Sequence, residues 1–206
     1  MPKVFNRGSA QSKEYYCVPY KSSSLKKHKN YMILDLQVQQ QASEIGGWKN
    51  ISLFKISVVA VYDSKKEKSM VFTEEELPAL FELMYKRLVV GFGIKRLDLI
   101  VLAAHGLDLD KCKFFDMMVN IECQIWGPLL GLNSVIQGTL DKSMDFAPVD
   151  LWKEDEKEKL SNLSQEHVGL IHDVFKSGQE SGFIQVKTEE ESYQIPVQWK
   201  SLTANK

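Results

Sequence analysis

The sequence predicts an α/β protein built on a mixed sheet of about five to six strands that is flanked by helices. Three segments rich in β-branched and aromatic residues follow one another early in the chain and are separated only by short polar segments. Helical periodicities then alternate with short apolar segments in the rest of the chain. Because strands joined by short turns pair antiparallel, the first three strands are expected to form an antiparallel meander.

The first half of the chain supplies the meander and the first helix. Strands are expected at residues 30–37, within 51–64 and at 69–73, with a Gly46–Gly47 turn signal after the first of them. Thr73 and the three glutamates that follow it form a capping box. Apolar residues at helical spacing come next, so a helix is expected to begin there.

The second half of the chain alternates between strands and helices. We expect a buried strand at 88–93, a helix over 94–105 ended by Gly106, a long amphipathic helix over 154–177 ended by Gly178, and two closing strands in "GFIQV" and "YQIPVQWK". Three strands, a helix, a strand and then helices is the element order of ribonuclease H-like α/β domains. The sequence therefore predicts this fold class.

Charge is distributed unevenly along the chain although the net charge is only −1. Residues 1–30 contain seven Lys or Arg side chains and one Glu, a formal charge of +6, which leaves about −7 for the remainder. We therefore expect a basic, flexible arm over residues 1–29 and one domain over 30–202. Contact of this arm with phosphates and a simply solvated terminus both remain open.

Cysteine usage and hydropathy indicate the compartment. The three cysteines, Cys17, Cys112 and Cys123, include no CxxC pair, which favours a reducing environment over a disulfide framework or a zinc ribbon. The sequence has no run of about 18 apolar residues, so we expect no membrane partner. We expect a cytoplasmic location. The four tryptophans are expected in the core and at its edge.

Several segments carry a resemblance to a known family. They are "ILDLQVQQQASEIGGWKNISLFKISVVAVYDS", "VVGFGIKRLDLIVL", "SQEHVGLIHDVFKSGQESGFIQV" and the closing "IPVQW". Together they resemble the ribonuclease H-like exonuclease domains found with helicases, which belong to the DEDD superfamily of 3′–5′ exonucleases. The resemblance extends from about residue 31 to 199. The resemblance implies the same fold class that the order of elements predicts.

In that superfamily, four acidic ligands hold two divalent ions that activate water and stabilise the leaving oxygen. The resemblance places the first ligand at Asp35 and the second-motif ligand at Asp98. Gln37 stands where the family has Glu, and His167 stands where it has the last Asp. Leu163 occupies the place of the Tyr that orients the attacking water. Two of the four acidic ligands are therefore replaced.

The resemblance implies a nucleic-acid-binding domain whose hydrolytic site has decayed, that is, a pseudoenzyme that is inactive or weak. One alternative is an active, atypical exonuclease that binds Mg²⁺ or Mn²⁺ through Asp35, Asp98, Gln37 and His167. A second alternative is a protein-interaction scaffold that retains only the fold and binds no metal. The expected partners are single-stranded DNA or RNA and, because relatives are often attached to one, a helicase.

Simpler roles compete with these assignments. Lys95 and Arg96 are candidates for phosphate contacts, but solvated helix charges are equally common. Asp98 has Lys95 as a nearby partner for a surface salt bridge. Asp35 is also consistent with a turn cap at the end of a strand, and His167 with a satisfied or exposed histidine.

Overall fold

The computed structural model describes residues 3–4, 28–122, 131–145, 148–189 and 191–203. The strands are β1 Lys3–Val4, β2 Tyr31–Val38, β3 Ile56–Asp63, β4 Lys68–Phe72, β5 Leu88–Gly91, β6 Lys113–Asp116, β7 Phe183–Lys187 and β8 Ser192–Pro196. The α-helices are α1 Leu77–Met84, α2 Asp98–Ala104, α3 Met117–Glu122, α4 Leu132–Leu140, α5 Pro148–Lys153 and α6 Lys157–Ser181.

The chain divides into two compact units, each of which is formed by separate stretches of the sequence. The first unit consists of residues 30–116 and 145–172, and the second of residues 1–29, 117–144 and 173–206. Helix α6 belongs to the first unit up to His172 and to the second from Asp173. The candidate site residues all lie in the first unit.

The first unit contains a five-stranded mixed sheet in the order β4-β3-β2-β5-β6. Strands β2, β3 and β4 pair antiparallel, which confirms the predicted meander. Strands β5 and β6 continue the sheet in parallel with β2. A meander extended by parallel strands, with helices between them, confirms the predicted ribonuclease H-like α/β class.

The hydrophobic core on one face of this sheet involves α1 and α2. It contains residues of the sheet, of both helices and of the segments that connect them: Met32, Leu34, Leu36, Val59, Val61, Leu77, Leu80, Met84, Val89, Leu99 and Leu102. Side chains alternate across a strand, so Asp35 and Gln37 point to the opposite face from Leu34 and Leu36. Helix α6 covers that opposite face at His167, which contacts both polar side chains.

A buried ion pair joins the end of β3 to the residue that precedes β5. Arg87 donates from Nε to Oδ1 of Asp63 at 2.9 Å and from its second amino group to Oδ2 at 3.2 Å. The side chains are 8% and 0% exposed, respectively. Burial acts to raise the pKa of Asp63, but hydrogen bonds from Arg87 and the Lys65 backbone N–H outweigh it and hold the pKa below its usual value.

The second unit contains a three-stranded sheet in the order β1-β8-β7. Strands β7 and β8 are the two predicted closing strands and pair antiparallel, and β1 adds to β8 in parallel. The Trp199 ring stacks on Phe175, with centroids 5.8 Å apart, and its indole N–H donates to Asn120 at 2.8 Å. Trp199 is buried, as predicted.

Several element boundaries and the burial of one tryptophan differ from the sequence predictions. Helix α6 begins at Lys157 and continues through Gly178, so the prediction that Gly178 ends it is wrong. The following Gly182, at φ +76°, has the left-handed conformation that suits a helix end. The second strand begins only at Ile56, because residues 48–53 form 3-10 turns. Trp48 is 66% exposed in those turns and is not a core residue.

Some sequence predictions lie outside the described residues. These are the arm between residues 5 and 27, Cys17, Cys123 and Trp126. Cys112 is described and has a free thiol. Among the described residues, no helix has the length and apolar character needed to cross a membrane.

Candidate functional site

The candidate site begins with two neighbouring polar side chains on β2. Asp35 is 19% exposed at its side chain, and Gln37 follows it on the same face of the strand. Gln37 donates from Nε2 to Oδ2 of Asp35 at 2.5 Å. The amide therefore directs a hydrogen atom at the carboxylate, whereas the Glu found in the resembled family would present a second anionic oxygen.

His167 closes the cluster from α6 with a side chain that is 2% exposed. Its Nε2 lies 2.7 Å from the backbone oxygen of Asp145, which can only accept, so Nε2 carries a hydrogen. Its Nδ1 lies 3.5 Å from Nε2 of Gln37 and 3.7 Å from Oδ2 of Asp35. In the neutral ring, Nδ1 accepts from the Gln37 amide, which joins all three side chains in one hydrogen-bonded group.

Asp98 enters the site from the first residue of α2. Its side chain is buried, and its Oδ1 accepts the Leu36 backbone N–H at 3.1 Å. Burial raises the pKa of Asp98 well above its usual range, and the nearby Asp35 carboxylate raises it further. The buried position excludes the alternative of a surface salt bridge. The uncharged carboxyl is favoured here because the site gives Asp98 little compensation for lost hydration.

Asp116 stabilises the turn that leads to Asp98. It ends β6 and accepts backbone N–H groups from Gly93 and Lys95, each at 2.9 Å. Asp116 therefore acts as a structural cap for this turn. In the same turn, the Lys95 ammonium lies 5.4 Å from the centroid of the Phe114 ring, and Arg96 is exposed.

The structure brings together four of the five residues assigned from the resemblance: Asp35, Gln37, Asp98 and His167. Leu163 lies one helical turn before His167 and is half-buried. Its aliphatic side chain has no polar atom with which to orient a water molecule. The backbone partners, at Leu36 and Asp145, were not predicted, since backbone groups leave no signal in the identity of the side chains.

The donor set does not fit a pair of divalent ions. Mg²⁺ and Mn²⁺ prefer anionic oxygen ligands, but here only Asp35 and Asp98 are carboxylates, and burial favours the neutral form of Asp98. Both nitrogens of His167 are engaged with protein groups. Among the described residues, no group of three or more His, Cys, Asp or Glu side chains is arranged to hold a metal ion.

Comparison with known proteins gives similarity only at the level of solved structures. No protein-family model and no curated protein sequence matches the chain. Similar structures include exonuclease I with bound product, at 9% identity and a TM-score of 0.42, and exonuclease I in its apo form, at 9% and 0.40. Exonuclease I in complex with the inhibitor BCBP is similar at 11% identity and a TM-score of 0.41. These matches cover 75% of this chain but only 42% to 44% of the exonuclease I chains.

Proposed function

We propose that this chain is a nucleic-acid-binding, exonuclease-like domain whose two-metal hydrolytic site has decayed. The hydrogen bond from the Gln37 amide to Asp35 carries this proposal. An N–H group aimed at the carboxylate competes with a cation for the same oxygen. The site thus satisfies its own charges through hydrogen bonds between protein groups.

The loss of charge supports the same conclusion. Gln37 and His167 stand in place of two carboxylates, which removes two negative charges that would face two dications. Electrostatic attraction is the main source of affinity for hard cations at such sites. A weakly bound or missing ion leaves the attacking water without activation, so the proposed domain binds its substrate and does not cleave it efficiently.

The turn before Asp98 is the proposed contact for the nucleic acid. Lys95 and Arg96 lie there, next to the site, and their charges suit a phosphate backbone. The proposed ligand is single-stranded DNA or RNA, the proposed protein partner is a helicase, and the proposed location of this chain is cytoplasmic. Residues 30–202 would form the exonuclease-like domain, and residues 1–29 a basic arm.

A nuclease assay tests the hydrolytic part of the proposal. The full chain is incubated with a 5′-labelled single-stranded oligonucleotide and Mn²⁺ or Mg²⁺, beside the variants Asp35→Ala and Asp98→Ala. We expect no ladder of shortened products from the unmodified protein. A ladder that both substitutions abolish would overturn the decayed site and establish an active, atypical exonuclease.

Restoration of the ligands provides the positive counterpart. The double variant Gln37→Glu, His167→Asp returns both carboxylates to the site, and we expect it to produce a ladder that requires a divalent ion. Binding of the same oligonucleotide is measured in parallel by anisotropy at several salt concentrations. Absence of any salt-dependent binding would overturn the nucleic-acid assignment and leave a scaffold that retains only the fold.

A further inference from the structure

A groove of about 480 Å³ lies beside the meander in the first unit, and none of the candidate site residues lines it. Its apolar lining comes from β3, β4 and α6, including Val58, Val71 and Leu160. The half-buried Trp152 forms part of its wall. This volume is within the range of sites that bind small molecules, about 300–1,000 Å³.

A β-bulge explains why the groove contains an unsatisfied polar group. Gln37 pairs with Val58 and Val38 pairs with Ile56, so Ser57 is an extra residue without a register partner. Ser57 lines the groove and is 2% exposed, and its hydroxyl has no hydrogen-bond partner. Ser57 therefore marks an irregular part of the groove wall, where the fold leaves a side-chain polar group unsatisfied.

The charges at the groove select against anionic ligands. Glu74 and Glu75 line it together with one lining cation, Lys157, and the Glu74 carboxylate also lies 3.8 Å from Nε2 of His105. The Lys157 ammonium is already engaged, 3.2 Å from a carboxylate oxygen of Asp155 and 5.6 Å from the centroid of the Trp152 ring. A phosphate backbone would therefore meet net negative charge here, whereas a cationic ligand would meet a complementary surface.

The adjacent sheet edge favours a peptide among cationic ligands. Strand β4, which contributes Val71 to the groove, is the last strand in the sheet order. Its outer edge has no strand partner within the part of the chain that the structure describes. An extended peptide can pair with such an edge through its backbone while its side chains enter neighbouring pockets.

We propose that this groove binds a short extended segment of a partner protein, in which apolar side chains are flanked by Lys or Arg. The apolar side chains occupy the space between Val58, Val71 and Leu160, and the basic side chains approach Glu74 and Glu75. This inference does not rest on the proposed nucleic-acid function.

Peptide selection followed by groove variants tests the inference. A display library of random octapeptides is selected against the full chain, and the enriched peptides are synthesised and measured by fluorescence anisotropy. We expect apolar residues next to Lys or Arg. We also expect affinity to fall about tenfold or more with Ser161→Trp, which fills the groove, and with Glu75→Lys, which reverses the charge at its rim.

Matched controls separate groove binding from a general effect. Ser161→Ala leaves the groove open, and Glu158→Lys makes the same charge change at an exposed position of α6 that does not line the groove. Both should retain full affinity. The inference would be overturned if the selection enriched no peptide. It would also be overturned if the enriched peptides bound Ser161→Trp and Glu75→Lys with unchanged affinity. If a single-stranded oligonucleotide displaces the peptide, loses affinity in Ser161→Trp and gains affinity in Glu75→Lys, the groove would instead be assigned to nucleic acid.

Discussion

Gln37 shows how a single atom changes the chemistry of the candidate site. Gln and Glu have almost the same shape, so the strand and its packing accommodate either one. The difference is an N–H group in place of an anionic oxygen, and that group donates to Asp35 at 2.5 Å. The same fold can therefore hold a hydrogen-bonded cluster where the resembled family holds metal ions.

Asp98→Asn is expected to stabilise the protein at neutral pH. The raised pKa of Asp98 means that the folded state keeps a proton that the unfolded state releases above about pH 4. Stability of the unmodified protein therefore falls as the pH rises from there through the folded-state pKa. Asn does not titrate, so its advantage should grow over this window to about 1–3 kcal/mol, as measured by urea unfolding between pH 4 and 8.

Asp110→Asn is the surface control for this prediction, because Asp110 is exposed. It should change stability by less than about 0.5 kcal/mol. Stabilisation of the unmodified protein by Mg²⁺, lost in Asp98→Asn, would contradict the prediction, since it would show that the charged carboxylate is held by a metal ion.

Arg87→Met is expected to destabilise the protein by about 3–5 kcal/mol, because it leaves the buried Asp63 charge without its partner. Asp63 has a lowered pKa in the folded state. Its contribution is therefore present above the unfolded pKa of Asp and is lost as the pH falls through the folded value. Denaturant unfolding at pH 7 and pH 3 measures both effects.

The double variant Asp63→Leu, Arg87→Met distinguishes the cost of an unpaired charge from the value of the pair. Replacement of a buried ion pair by apolar residues is often close to neutral, so most of the lost stability should return. A double variant as unstable as Arg87→Met would instead mean that the ion pair itself holds β3 and β5 in place.

At the level of elements, two glycines of α6 are expected to have opposite roles. A Cβ added at Gly178 would lie 2.4 Å from Cε3 of Trp199, whereas one added at Gly169 meets nothing within 4 Å. Gly178→Ala should therefore destabilise the protein by about 1–3 kcal/mol through overpacking. Gly169→Ala should stabilise it by about 0.5–1 kcal/mol through helix propensity.

Thermal unfolding of the two alanine variants provides the measurement, and each is the control for the other. Equal effects of the two substitutions would contradict the assignment of Gly178 to close packing. The same pair explains why the sequence prediction for this helix failed. A glycine near the end of an amphipathic pattern resembles a C-cap, and only the position of Trp199 shows that it belongs to the helix interior.

Patterns with a short range in the sequence predicted most of the fold. The antiparallel meander, the capping box at Thr73 and the two closing strands all depend on neighbouring residues, and all three are present. The bulge that leaves Ser57 unpaired and the burial of Asp98 depend on contacts between distant segments. The groove and the state of the candidate site therefore required the structure.

At the level of the whole molecule, the uneven charge of the chain gives a test of how it would engage nucleic acid. Single-strand affinity falls with salt by a slope of about 0.7 for each phosphate neutralised. If the basic arm contacts phosphates, replacement of three of its lysines by glutamine should lower the slope by about 2. The three are Lys21, Lys26 and Lys27.

A matched set of lysines distinguishes specific phosphate contacts of the arm from the effect of a change in net charge. Lys65, Lys66 and Lys68 are exposed at the turn between β3 and β4, and their replacement by glutamine changes the net charge equally. Anisotropy titrations of both variants with a single-stranded oligonucleotide, from low to moderate salt, should lower the slope only in the arm variant. Equal slopes in the two variants would show that the arm acts only through the overall field of the protein. An unchanged slope in the arm variant, with binding intact, would assign the phosphate contacts to the domain, where Lys95 and Arg96 become the next positions to replace.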